Sequence, residues 1–98
     1  MKALYKADAH SEEVIEITPD METIQEHVHG YFGQYMLDEK TVALINEEGR
    51  FLQLPYTATL NIGGYVVPIV GPLLILGYDG EAYCDVDVER AKQYIITQ

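Results

Sequence analysis

The residues best suited to chemistry in this 98-residue chain are three histidines, one cysteine, sixteen carboxylates and eight tyrosines. His27 and His29 stand two apart in "EHVHG". Metal-binding histidines on a helix stand four apart so that both face the ion, and a spacing of two turns them to different sides. Imidazoles near a helix C-terminus are favoured by its dipole, which accounts for both. His10 falls in a turn. Cys84 needs a base and a positive setting to become a thiolate, but its neighbours are Asp79, Glu81, Asp85 and Asp87. The segment "DGEAYCDVDVE" brings calcium to mind. An EF-hand loop, however, requires Gly at its sixth position and Glu at its twelfth. Counted from Asp85, those positions hold Arg90 and Ile96. A turn followed by an acidic helix start explains the cluster, and no metal or cofactor is expected.

Nucleophile and phosphate motifs are missing as well. There is no G-x-S-x-G, no Walker lysine and no G-x-G-x-x-G before a helix, and Ser11 is the sole serine. Nothing selects a catalytic pair among the carboxylates, so no enzyme is expected and no catalytic residue is named. The tyrosines remain. Tyr combines apolar area with a polar tip and is enriched at interfaces and stacking sites. Tyr31, Tyr35, Tyr56 and Tyr65 flank turns and the uncharged part of the chain, and are the ligand or interface candidates. An anionic ligand would also need a local cation, which Arg50, Lys2, Lys6, Lys40, Arg90 or Lys92 would supply. Arg50 joins the candidate set.

These side chains must be positioned by short elements. Lys2–Lys6 and Glu12–Ile17 read as a first strand pair. "TPD" at 18–20 is a helix start, with Thr18 as N-cap and Pro19 in the first turn. Met21, Ile24 and Val28 form the stripe of a short helix that Gly30 closes. Tyr31–Leu37 and Thr41–Asn46 are strands around the Asp38–Lys40 turn. "NEEGR" reads as a hairpin turn with Gly49 at positive φ, after which Phe51–Leu54 runs extended to Pro55. "NIGGY" is a tight turn. Val66–Val70 and Leu73–Gly77 are apolar strands, and Pro68 assigns the first to an edge. A last helix spans about Asp87–Ile96, with Val88, Ala91 and Ile95 as its stripe. The fold class is α+β: a mostly antiparallel sheet with two short helices on one face, in the order ββα, several strands, α, forming a single compact domain over residues 1–98.

From Phe51 to Tyr78 there is no charged residue. The stretch is too broken by proline and glycine to be a membrane helix. "YVVPIV" and "LLIL" do not alternate, so both faces of these strands must be covered. Helices cover one face. A folded-over strand layer or a second subunit covers the other, which is the reason to expect a homo-oligomer. Val66, Val67, Ile69, Leu73 and Ile75 are the predicted core or oligomer contacts.

The formal charge of −10 opposes binding to phosphate backbones or anionic lipid. With one cysteine, a reducing compartment is the default. "MKALYKADAH" lacks the apolar run of a secretory signal, so a cytoplasmic location is expected.

"MKALYKA", the "VIEI" strand leading into a short helix, "VALINEEGRFLQLP" and "GPLLILGYDGE" followed by a final helix resemble the domain of unknown function 3846 family. The resemblance covers most of the chain and rests on turn and core signatures. It implies a phage, mobile-element or gut-bacterial context and no particular activity. A polar residue is expected after Leu54-Pro55, where this chain has Tyr56-Thr57-Ala58.

The resulting expectation is a small non-enzymatic binding protein, acting in counter-defence by sequestering a nucleotide-like ligand or by blocking a host protein factor. One alternative is an acidic nucleic-acid mimic that inhibits a host nuclease, CRISPR effector or restriction enzyme. Another is a structural or regulatory interaction domain whose acidity only confers solubility.

Overall fold

The structure, a computed structural model, describes residues 1–96. These form β1 (Lys2–Lys6), β2 (Glu13–Glu16), α1 (Met21–Val28), β3 (Phe32–Asp38), β4 (Thr41–Asn46), β5 (Tyr56–Ile62), β6 (Tyr65–Val70), β7 (Leu73–Tyr78), β8 (Tyr83–Cys84), α2 (Val88–Gln93) and β9 (Ile95–Ile96). The larger sheet runs β2-β1-β7-β4-β3, with β8 on the end of β7, and the smaller runs β6-β5-β9. Every pairing is antiparallel. The architecture is α+β with strand predominating. No helix among the described residues is long and apolar enough to cross a membrane.

β7 explains the uncharged run. It lies between β1 and β4, and Leu73 through Gly77 are all buried. Alternate residues enter two cores. Leu74 and Leu76 pack with Ala3, Val42, Leu44, Ile24 and Val28, under α1. Leu73 and Ile75 pack with Leu4, Ala43, Ala58, Leu60 and Ile69, under the small sheet, where Ala91 of α2 joins them. The helices therefore lie on opposite faces of the large sheet, not on one as expected. Apolar side chains point both ways from β7, so each face needs its own cover. The second cover is the chain's own strand layer, so at β7 the argument for a second subunit falls away.

Of the predicted contacts, Ile69, Leu73 and Ile75 are fully buried and Val67 packs at the rim. Val66 is instead 62% exposed. It pairs with Asn61 on β5, and Pro68 with Thr59, so this parity turns away from the large sheet. β6 is an edge, as Pro68 requires.

Several local expectations change. The cap of α1 is Asp20, whose carboxylate accepts the Thr23 N–H at 2.8 Å, and not Thr18. The left-handed residue at its end is His29 (φ 66°), one before Gly30. Residues 47–53 form a succession of turns, not a hairpin turn followed by an extended run. The positive φ there belongs to Gln53 (56°), not Gly49. β5 then follows Pro55, a strand that the sequence reading lacked. The β5–β6 turn is as expected, with Gly63 and Gly64 at φ 58° and 92°, values that glycine adopts without strain. The last helix stops at Gln93, because Ile95 and Ile96 pair with Leu60 and Thr59. Gly77 is needed for close approach: a Cβ there would lie 2.3 Å from the Asp85 carbonyl oxygen.

Candidate functional site

The eight tyrosines divide by what their hydroxyls do. Tyr5 donates to the His27 carbonyl at 2.7 Å, Tyr78 to the Gly80 carbonyl at 3.1 Å and Tyr83 to Gln34 Oε1 at 2.7 Å. Tyr94 donates to Asp38 at 2.5 Å, and Tyr56 shares a hydrogen bond with Thr59. The hydroxyls of Tyr31, Tyr35 and Tyr65 have no protein partner among the described residues, and all three rings are exposed. These are three of the four tyrosines singled out by type and position.

The cations divide in the same way. Arg90 faces Asp38 at 3.6 Å and Lys92 faces Glu12 at 4.0 Å. Lys6 donates to the Ser11 carbonyl. Lys2, Lys40 and Arg50 have no acidic partner among the described residues.

One tyrosine and one cation without partners among the described residues line the same groove. β3 and β6 are edges of the two stacked sheets, and a groove of about 290 Å³ opens between them. Its walls include Gln34, Tyr35, Glu47, Arg50, Val67 and Pro68. Tyr35 comes from β3. Arg50 comes from the turns after β4, closed by the Leu52 N–H on the Glu48 carbonyl (2.8 Å) and the Leu54 N–H on that of Gly49 (2.9 Å). Asn46 anchors this loop. It is buried, its Nδ2 donates to the carbonyls of Val28 and His29 (3.1 Å each), and its Oδ1 accepts the Glu48 N–H at 2.8 Å. One side chain thus ties the end of α1 to the start of the loop carrying Arg50. By sequence alone Asn46 is a turn residue. The available signal was an amide at the end of an apolar strand, where a buried polar group must find partners.

The other candidates lie apart. Tyr31 lines a hollow beside His29, Asn46 and Leu52. Tyr56 lines another beside Lys6 and His10. Tyr65 stands at the hairpin end, 78% exposed.

A larger hollow, about 710 Å³, is lined by Lys40, Cys84, Arg90, Glu39, Asp79, Asp85 and Asp87. Its aspartates are already employed. Asp79 accepts the N–H groups of Glu81 and Ala82, Asp85 that of Lys2 and Asp87 that of Arg90. The same holds for Asp8 (His10 N–H), Asp20 (Thr23 N–H) and Asp38 (Lys40 N–H). All six aspartates therefore fasten backbone. No cluster among the described residues has the makings of a metal site. His27 bonds the Thr23 carbonyl through Nδ1 at 2.8 Å and meets Tyr5 edge-on.

These bonds shift acidities. Backbone N–H donors hold Asp8, Asp20 and Asp79 below the usual carboxylate range. At Asp38 burial pushes upward, but the Tyr94 hydroxyl, the Lys40 N–H, the Thr41 hydroxyl and Arg90 together outweigh it and leave it low. The bond to Asp38, followed by burial, raises Tyr94.

A family model described as Domain of unknown function (DUF3846) matches residues 1–97, and the chain belongs to that family. No curated protein and no solved structure matches it.

Proposed function

We propose that this member of the DUF3846 family is a small non-enzymatic binding protein whose ligand site is the groove between β3 and β6. The observation that carries the reading is that Tyr35 and Arg50 line it together, neither held by a side-chain hydrogen bond or ion pair among the described residues. A guanidinium recognises phosphate or carboxylate through its donor fork, and a phenol ring offers a stacking face. Val67 and Pro68 add apolar surface to its lining. Nucleotide-like ligands combine the two features this pair addresses, a planar ring and an anion. In a phage or mobile-element setting, sequestering such a signal in the host cytoplasm would serve counter-defence.

The test is a calorimetric and thermal-shift screen of the full chain against mono-, di- and cyclic nucleotides. Saturable binding that Arg50→Ala and Tyr35→Ala each weaken at least tenfold is expected. Absence of binding by every nucleotide, or binding indifferent to both substitutions, overturns the reading.

A second reading, docking on a host protein, is favoured by the exposed apolar side chains beside the groove. Phe51 is 84% exposed next to Arg50, and Tyr65 and Val66 extend from the β6 edge. Exposed apolar patches mark such contacts. Self-association through the same edge is the homo-oligomeric form of this reading, and a sizing column would detect it. The nucleic-acid-mimic alternative has less to draw on. The aspartates keep their charge but are fixed in turns and caps, and the glutamates are distributed over β2, α1, α2 and the turns, with no shared element to align them.

A further inference from the structure

Lys6 is only 8% exposed, in a chain whose other cations reach solvent or an acid. It ends β1, opposite Leu73 of the central strand. Its ammonium donates to the Ser11 carbonyl at 3.0 Å. No carboxylate forms an ion pair with it among the described residues, although the chain has sixteen. An ammonium carries three donors, and this part-buried one spends a single donor on the protein among the described residues. Lys6 also lines a hollow of about 340 Å³ on the far side of the small sheet from the Tyr35–Arg50 groove, bounded by His10, Glu12, Tyr56, Ala58 and Ile95. The acid in that wall, Glu12, is turned to Lys92 at 4.0 Å.

We propose that this hollow is a second ligand site, and that it takes a small monocarboxylate with an apolar body. The charge follows from the single buried cation. One ammonium neutralises one negative charge, and the nearby Glu12 opposes a second, so a dianionic phosphate is disfavoured. The apolar body follows from part of the walls: Ala58, Ile95 and Tyr56 offer carbon surface beside a polar end formed by Lys6, His10 and Glu12, a common composition of a small-molecule site. The two free donors of Lys6 would take the carboxylate oxygens in charge-assisted bonds. This site is independent of the groove that Tyr35 and Arg50 line.

The experiment is an NMR titration of the isotope-labelled full chain with sodium butyrate and sodium benzoate, set against sodium phosphate and sodium chloride at constant ionic strength. Saturable shifts around Ser11, Tyr56 and Ile95 are expected with the carboxylates and not with phosphate or chloride. Lys6→Met should reduce carboxylate affinity at least tenfold while the chain remains folded, because a buried charge without an acid partner can be replaced by an apolar side chain of similar length. If that variant fails to fold, Tyr56→Glu places a negative charge at the exposed wall and should weaken butyrate at least tenfold. Lys40→Gln, in a different hollow, serves as control and should change nothing. No saturable carboxylate binding, binding unchanged in Lys6→Met or Tyr56→Glu, or tighter binding of phosphate than of butyrate would each overturn the proposal.

Discussion

The two faces of β7 are one residue apart in sequence and are finished differently. Leu74 and Leu76 lie under a helix, and Leu73 and Ile75 under a second sheet. α1 satisfies most of its own backbone, and Asp20 and Asn46 occupy groups at its two ends, so that cover presents no strand edge. A sheet cannot close itself in this way. The layer of β5, β6 and β9 ends in the free edge of β6, beside the free edge of β3. The groove, the exposed Tyr65 and Val66, and the Lys6 hollow all border the second cover. Covering a core with a helix yields stability without exposing a strand edge. Covering it with strands yields stability and leaves edges and clefts at which something else can bind.

The strongest way to break this contrast is to empty each core in turn. Leu76→Ala and Ile75→Ala should each cost about 2–5 kcal/mol, read from urea unfolding, because each removes a fully buried side chain. If the Ile75 variant unfolds in two steps and the Leu76 variant in one, the small sheet is a separable layer. Asn46→Ala comes next, at about 2–3 kcal/mol, since it strips partners from two carbonyls and one N–H. It should also loosen the Arg50 loop, seen as faster amide exchange at residues 48–54, while the amides of β6 stay protected.

Acidity gives a smaller and graded effect. Asp8, Asp20, Asp38 and Asp79 have depressed native pKa values. Their contribution is complete above the unfolded carboxylate value, near pH 4, and fades as pH falls through the lower native values. Tyr94 works in the opposite sense. Its raised pKa contributes stability below about pH 10 that fades as pH climbs through the native value. Thermal melts from pH 2 to 11 should show both flanks, and Asp38→Asn should flatten each. The smallest effect on stability belongs to the groove: Tyr35→Ala and Arg50→Ala should stay within about 0.5 kcal/mol of the parent. A larger loss in either would mean that the pair serves the fold.

What was legible in the sequence follows from range. The apolar run over residues 73–77 and the Gly63-Gly64 turn are local signals, and both read correctly. The α1 cap is local but ambiguous, since Thr18 and Asp20 both carry a capping oxygen and only the chain's path past Pro19 decides. β5 was hidden because Thr57, Thr59 and Asn61 interrupt its apolar members, although Tyr56, Ala58, Leu60 and Ile62 do alternate. Ile95 continued a helical stripe on paper. Pairing with Leu60, thirty-five positions away, made it a strand. The candidate site has the same character. Tyr35 and Arg50 were identifiable by type and by their proximity to turns. Their sharing of one groove depends on two sheets stacking, and the separation of Tyr31, Tyr56 and Tyr65 from them depends on the same event. The burial of Lys6 was not legible, because a lysine at a strand end ordinarily reaches solvent.

The place of β7 in the chain has a consequence for how the protein comes into being. The strand that joins the β1–β2 hairpin to the β3–β4 hairpin is the seventh to emerge, at residues 73–78. Until it is synthesised, the two hairpins share no neighbour in the large sheet, and their apolar sides remain bare. Loop closure between such distant segments is slow, and half-made sheets are prone to aggregate. Assembly therefore waits for the last quarter of the chain, and a nascent polypeptide stalled before residue 73 should be a substrate for chaperones rather than a partly formed domain.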